Sequence, residues 1–73
     1  MGVTLENHED VLDYHAPDDE GLANINAVRA ATKIFVRTIL MYTPSCADQQ
    51  AAIRLARESM MTANAAIVLK GKI

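Results

Sequence analysis

The cationic side chains in the middle of the sequence have the spacing that is most suggestive of chemistry. Arg29, Lys33 and Arg37 recur every four residues, and no acidic residue lies between Glu20 and Asp48. On a helix this spacing places the positive charges on one stripe, where like charges four residues apart destabilise the helix slightly. The stripe therefore favours an anionic partner. Two candidates are the acidic N-terminal segment of the same or a neighbouring chain, and a ligand that carries phosphate.

Catalytic and metal-binding groups are poorly represented. His8 and His15 lie among carboxylates, but a solvated acidic segment explains that pattern better than a transition-metal site does. The start of a helix can activate a thiol, yet Cys46 also falls on the predicted core stripe, and we expect it to be buried. None of the glycine-rich motifs that hold phosphate or present a nucleophile occurs in this chain. We expect a protein that is not an enzyme and that needs no metal or cofactor.

Two further sets of side chains suit ligand binding. Tyr14 offers a ring that can stack on a base, and a polar edge on the later helix offers hydrogen-bond donors. That edge consists of Gln50, Arg54, Arg57, Met61 and Asn64. An ordinary solvated helix face explains the same composition. Arg29 lies roughly 16 Å along the helix from its predicted start, so a small ligand that touches both Tyr14 and Arg29 would take them from different chains.

The first element that must position these groups is a helix over residues 17–42. Pro17 suits the first helical position, and the acidic residues after it suit the positive end of the helix dipole. Apolar side chains recur at intervals of four and three, at Gly21, Ile25, Val28, Thr32, Phe35, Ile39 and Tyr42. A neighbouring apolar sector contains Ala27, Ala31, Ile34 and Met41. A helix that is apolar on two sides is expected to pack against more than one partner.

The second element is a helix over residues 45–70, after the break at Thr43-Pro44. Ser45 and Asp48 resemble a capping box, and Gly71 is typical of a helix C-terminal stop. The predicted core stripe consists of Cys46, Gln49, Ile53, Ala56, Met60, Ala63 and Ile67. The short connection between the helices predicts an antiparallel hairpin.

The whole chain, residues 1–73, is expected to form one small all-α domain. Seven of the nine carboxylates lie in the first twenty residues. Residues 1–16 are expected to form an acidic arm with a short helical turn anchored by Val11, Leu12 and Tyr14. A lone hairpin leaves a wide apolar face exposed, and a single cysteine forms no internal disulfide. We therefore expect a homo-oligomeric helical bundle. The absence of a long apolar stretch or a signal sequence indicates a soluble intracellular protein.

Two sequence motifs resemble those of a known family. Pro44-Ser45 leads through Ala51-Ala52-Ile53 to the segment Met60-Met61-Thr62-Ala63-Asn64-Ala65-Ala66-Ile67. Tyr14 is followed fifteen positions later by a basic residue, Arg29, after an acidic and then apolar stretch. From Tyr14 to Lys70 the chain resembles the small helical-hairpin domain of phage anti-CBASS and anti-Thoeris proteins. These proteins are sponges that sequester cyclic-nucleotide immune signals, and the anti-CBASS members are the most similar.

The resemblance implies a homohexamer that binds cyclic dinucleotides such as cyclic GMP-AMP between protomers and does not cleave them. Such a sponge acts in the cytoplasm of the infected bacterial host. In this chain Tyr14 would stack on a base, Arg29 would hold phosphate from another protomer, and Lys33 would support it. Arg57 and Asn64 would belong to a second pocket. Cyclic trinucleotides and ADP-ribose-derived cyclic signals are further ligands that the resemblance leaves open.

Two positions depart from the family pattern. Thr62 stands where relatives often carry an aromatic residue, and Gln49 stands where many carry arginine. The second departure argues against a pocket for trinucleotides.

Two other functions fit the same sequence. A small helical interaction module would dock a host protein on its apolar surface and an acidic partner on its basic stripe. A nucleic-acid binder is disfavoured, because a pI of about 5.5 and an acidic arm would repel DNA.

Overall fold

A computed structural model describes residues 2–72 and contains three helices within that range. They are α1 at His8–Leu12, α2 at Asp19–Tyr42 and α3 at Ala47–Val68. The described residues form no strand, and the two long helices pack against each other, so the all-α prediction is confirmed. Met1 and Ile73, the two ends of the predicted domain, lie outside the described residues. No helix within residues 2–72 combines the length and the apolar character needed to cross a membrane.

Helix α2 begins two residues later than the sequence indicated. Asp18, not Pro17, marks its start: the Asp18 carboxylate accepts a hydrogen bond of 2.7 Å from the Gly21 backbone N–H. Pro17 therefore precedes the cap, and the prediction that it holds the first helical position was wrong. A Cβ atom added at Gly21 would lie 3.0 Å from the Asp18 carboxylate oxygen and 3.6 Å from Ile67, so glycine allows the close approach of cap and helix.

The turn between α2 and α3 is held by side chains that bond to the backbone. Thr43 donates its hydroxyl to the Ile39 carbonyl at 2.6 Å, and the buried Gln49 amide donates to the Thr43 carbonyl at 3.2 Å. Helix α3 begins at Ala47 with no side-chain cap, so the predicted capping box of Ser45 does not form. Cys46 has an extended backbone and is exposed, which corrects its predicted burial: it precedes the helix and lies off the core face.

The C-terminal end of α3 is joined to the N-terminal part of the chain by two ion pairs. The backbone turns at Lys70 and Gly71, which have φ of 54° and 74°, and the Gly71 N–H donates to the Ala66 carbonyl. Glycine is favoured at this position, and the predicted stop is confirmed. Lys70 pairs with Asp18 at 3.5 Å and Lys72 pairs with Asp10 at 3.8 Å. The open end of the hairpin is thereby connected to the segment that contains α1.

The core lies mainly along the seam between α2 and α3, the two helices that contact each other. Its buried apolar side chains are Val11, Ile25, Ile39, Ala56 and Leu69. No described side chain is completely shielded from solvent, which indicates a thin core.

Two residues of the predicted α2 core stripe lie outside the seam. Phe35 is 57% exposed and Tyr42 is 78% exposed. One partner helix covers only a narrow stripe of α2, and these two rings lie on its flank, so their predicted burial was wrong for the single chain.

Replacing Asp18 with alanine should lower the melting temperature by about 4–8 °C, because the first turn of α2 loses its side-chain cap. Circular dichroism at 222 nm during heating measures the change. Asp18→Asn is the matched control, since its amide oxygen can still cap the helix although the ion pair with Lys70 is lost. Equal melting temperatures for wild type and Asp18→Ala would contradict a stabilising cap.

The same carboxylate predicts a dependence of stability on pH. The Gly21 N–H, aided by Lys70, lowers the pKa of Asp18 below its ordinary value of 3.8. Because the folded-state pKa is lowered, this stabilisation is present above the ordinary pKa and is lost as the pH falls through the lower folded value. Melting curves between pH 7 and pH 2 should show a loss for the wild type at the acidic end that is smaller in Asp18→Asn.

Candidate functional site

A cationic groove lies between the two long helices. Its positively charged lining residues are Arg29, Lys33 and Arg37 from α2 and Arg57 from α3. The three α2 cations share a stripe because they are four residues apart, and the packing of α3 brings the fourth cation to that stripe. No carboxylate is among the residues that line the groove. We call this feature the α2–α3 groove.

The floor of the α2–α3 groove is aliphatic. Val36 and Leu40 from α2 and Ile53 and Met60 from α3 form it, and the volume is about 560 Å³. Small-molecule sites usually measure about 300–1,000 Å³ and combine apolar walls with a few polar groups that orient the ligand. The groove therefore suits a ligand that has both an apolar surface and several negative charges.

Electrostatics favour an anion in this groove. Four positive charges on one low-dielectric wall reinforce one another and raise the local concentration of anions. A cavity near the start of α2 provides a contrast, since Asp18 and Glu20 line it together with Lys70. That cavity, of about 340 Å³, contains both signs of charge and lacks a comparable attraction for phosphate.

The structure brings together three of the five residues that the sequence indicated as ligand-binding. Arg29 and Lys33 line the groove, and Arg57, predicted for a second pocket, lines the same groove. Tyr14 lies between α1 and α2, is 88% exposed and does not line the groove of its own chain. The stacking role of Tyr14 stays a prediction. If Tyr14 and Arg29 contact the same ligand, the two residues come from different chains.

Asn64 lies outside the groove and has an unusual environment. Its side-chain Oδ1 atom is buried and has no hydrogen-bond partner among the described residues. Buried polar atoms are nearly always hydrogen-bonded, so a partner from outside the chain would satisfy this oxygen. A separation of seven residues places Asn64 on the same side of α3 as Arg57, two turns further along. Its assignment to a second pocket stays a prediction.

The two positions that depart from the family pattern have local roles in the hairpin. Gln49 is buried and bonds to the Thr43 carbonyl, so its amide holds the interhelical turn. Thr62 donates its hydroxyl to the Glu58 carbonyl within α3 and is exposed.

Sequence reasoning overlooked part of the groove. Arg37 was recognised as the third cation of the stripe but was not assigned to the ligand site, although its four-residue spacing from Lys33 was sufficient reason to include it. The floor residues Val36 and Leu40 lie on neither predicted stripe of α2, and only the position of α3 reveals their role.

The histidines of the acidic segment bond to nearby backbone. His8 donates from Nδ1 to the Leu5 carbonyl at 2.8 Å, and His15 donates from Nε2 to the Asp10 carbonyl. Within residues 2–72, no three side chains of the His, Cys, Asp or Glu type are grouped so that they could hold a metal ion.

Comparisons with protein-family models, with curated proteins and with solved structures find no match for this chain. The candidate site is therefore identified from the geometry of this chain alone.

Replacing Asn64 with leucine should raise the free energy of unfolding by about 1 kcal/mol, because the substitution removes a buried oxygen that has no partner. Urea unfolding followed by circular dichroism measures the change. Asn26→Leu on the exposed side of α2 is the control, and it should change stability by less than about 0.5 kcal/mol. A clear loss of stability in Asn64→Leu would show that the amide is satisfied in the protein.

Proposed function

We propose that this protein sequesters cyclic oligonucleotide signals without cleaving them, as a phage anti-defence sponge in the cytoplasm of the infected bacterial host. The observation that carries the proposal is the α2–α3 groove, where Arg29, Lys33, Arg37 and Arg57 surround an aliphatic floor with no carboxylate in the lining. The resemblance of the sequence to the anti-CBASS sponges supports the same function.

A cyclic dinucleotide has the chemistry that this groove favours. Its two phosphodiesters carry two negative charges, and its bases and sugars offer surfaces that can pack on Val36, Leu40, Ile53 and Met60. Guanidinium groups form paired, charge-assisted hydrogen bonds with phosphate, and three of the four lining cations are arginines. The groove thus supplies the attraction for phosphate and a dry surface for the rest of the ligand.

Sequestration needs affinity and no chemistry. A sponge whose concentration exceeds that of the signal lowers the free signal below the threshold of its receptor. A nanomolar dissociation constant, which corresponds to a binding free energy of about −12 kcal/mol, is sufficient. Nucleotide held between rigid helices loses little binding energy to reordering of the site. The proposal includes self-association, as in the homohexamer of the family, with Tyr14 of one protomer stacking on a base held by Arg29 and Lys33 of another.

The first test is native mass spectrometry of the purified protein with cyclic di- and trinucleotides and cyclic ADP-ribose isomers. We expect cyclic dinucleotides such as cyclic GMP-AMP to bind and to be released intact by heating. Recovery of cleaved ligand after heating would indicate that the protein is an enzyme and would contradict the sponge proposal. A protein that binds no member of this panel would also contradict the proposal.

The role of the groove is tested by a pair of arginines on α3. Arg57→Ala should weaken binding of cyclic GMP-AMP by about 10- to 100-fold, because a charge-assisted contact with phosphate is lost. Arg54→Ala is the matched control: Arg54 is exposed on the same helix, one turn earlier, and does not line the groove. The dissociation constant of Arg54→Ala for cyclic GMP-AMP, measured by isothermal titration calorimetry, should stay within about threefold of the wild-type value. Equal losses in both variants would indicate a nonspecific effect of charge.

The two residues implied by the family resemblance have their own test. Tyr14→Ala and Arg29→Ala should each abolish dinucleotide capture, because the first removes the ring that stacks on a base and the second removes a cation that holds phosphate; both should leave the oligomer intact. Wild-type affinity in both variants would overturn the assignment of these residues even if the protein still bound the nucleotide.

A second candidate function is the docking of an acidic helical protein, which the open aliphatic floor of the groove favours. This function predicts a monomer or dimer that ignores the nucleotide panel and binds its protein partner through the groove. Capture of an acidic protein by pull-down, together with no binding of any nucleotide in the panel, distinguishes it from nucleotide sequestration.

A further inference from the structure

Helices α2 and α3 are antiparallel, and their register decides which residues share each end of the α2–α3 groove. At the start of α2, a Cβ atom at Gly21 would lie 3.6 Å from Ile67. At the other end of the hairpin, the Gln49 amide donates to the Thr43 carbonyl. Each step forward along α2 is therefore matched by about one step back along α3, because both helices rise about 1.5 Å per residue.

One end of the groove contains three cations. By this register Arg57 is level with Ala31, which lies between Arg29 and Lys33. All three cations line the groove, and Arg29 and Lys33 are about one helical turn apart. We call Arg29, Lys33 and Arg57 the cationic end. Three positive charges so close together suit one phosphate group, which as a monoester carries about −1.5 to −2 charges at pH 7.

The other end of the groove is aliphatic. It is lined by Val36, Leu40 and Ile53, and we call these three residues the aliphatic end. The nearest cation, Arg37, lies two residues before the buried Ile39 and about 160° around the helix from it. Arg37 therefore lines the outer rim of the groove and leaves the aliphatic end uncharged.

The change from charge to hydrocarbon along the groove matches an amphiphile with one head and one tail. Leu40 lies seven residues beyond Lys33, or roughly 10 Å along α2. Thr32, the remaining polar side chain of the lining, donates its hydroxyl to the Val28 carbonyl. No aromatic ring is among the residues that line the groove. A nucleobase here would take its stacking partner from another protomer, whereas a hydrocarbon chain needs neither a ring nor a hydrogen bond.

We propose that the α2–α3 groove binds a dispersed single-chain amphiphile whose head is a phosphate monoester. The phosphate contacts the cationic end, and the alkyl chain lies along the aliphatic end. The net charge of −2 on the protein opposes docking on an anionic bilayer, so the occupant is the dispersed molecule. The inference goes beyond the proposed function and does not depend on it, because one chain supplies every contact. An amphiphile and a cyclic dinucleotide would compete for the cationic end.

Isothermal titration calorimetry with decyl phosphate, below its micelle concentration and without nucleotide, tests this site. We expect saturable binding of one molecule per chain. Inorganic phosphate lacks the tail and decyl maltoside lacks the charge, so each should bind at least about 30-fold more weakly. Octyl phosphate should bind about 4- to 15-fold more weakly than decyl phosphate, because each buried methylene contributes at most about fourfold. Equal affinity for decyl maltoside, or no dependence on chain length, would overturn the proposal.

The aliphatic end is tested by Leu40→Asn, with Leu55→Asn as the matched control. Leu40 is 53% exposed, and Leu55 is 61% exposed on α3 and does not line the groove. Leu40→Asn should weaken binding of decyl phosphate about tenfold, whereas Leu55→Asn should stay within about threefold of wild type. Val36→Thr nearly keeps the shape of valine and should weaken binding in the same direction. Circular dichroism verifies that each variant is folded, and equal losses in Leu40→Asn and Leu55→Asn would overturn the assignment.

The cationic end is tested by Arg57→Ala, with Arg54→Ala as the control outside the groove. Arg57→Ala should weaken binding of decyl phosphate about tenfold, and Arg54→Ala should stay within about threefold of wild type. The same affinity in Arg57→Ala and wild type would overturn the placement of the phosphate.

Two results would overturn the inference outright. One is a chain that does not bind decyl phosphate. The other is binding to vesicles of dioleoylphosphatidic acid without binding to dispersed decyl phosphate, which would assign the surface to a bilayer. Either result leaves nucleotide sequestration untouched, and a chain that binds decyl phosphate but no nucleotide would contradict the proposed function alone.

Discussion

The packing of α2 against α3 along one narrow seam is the constraint on which the rest of the structure depends. A hairpin of two helices buries only the side chains that face each other, and Ile25, Ile39 and Ala56 fill that seam. At the start of α2, Gly21 leaves room for the capping Asp18 carboxylate, which a Cβ atom would approach to 3.0 Å. Many other large apolar side chains are exposed on the single chain, among them Phe35, Leu40 and Leu55.

The cationic groove is a consequence of the same seam. The register of the two helices places Arg57 beside Arg29 and Lys33, so positive charges from both helices face one hollow. Their mutual repulsion opposes folding slightly, and an anion that binds among them relieves it. Because the repulsion exists before the ligand arrives, the unliganded groove is electrostatically prepared for a polyanion, which is the property that a nucleotide sponge requires.

The N-terminal segment is placed by charge more than by burial. Asp18 joins Lys70, Asp10 joins Lys72, and Val11 is the buried side chain that anchors α1. Exposed ion pairs contribute little stability, so this segment is attached more weakly than the two long helices are to each other. Tyr14 lies in this weakly attached part, exposed and outside the groove of its own chain.

Local sequence determined the helices, and tertiary packing determined their faces. The intervals of four and three, the break at Thr43-Pro44 and the stop at Gly71 predicted two long helices joined by a turn, because these signals act within a few residues of the chain. The same signals placed both helix starts two residues too early. For α2 the reason is that Asp18, which follows Pro17, supplies the carboxylate that accepts from the Gly21 N–H and caps the helix. Periodicity alone also could not place Phe35 outside the seam or Cys46 before the helix. The stripe of Arg29, Lys33 and Arg37 was readable from spacing, but its union with Arg57 over an aliphatic floor was decided by how α3 lies across α2, a relation between residues that are distant in sequence.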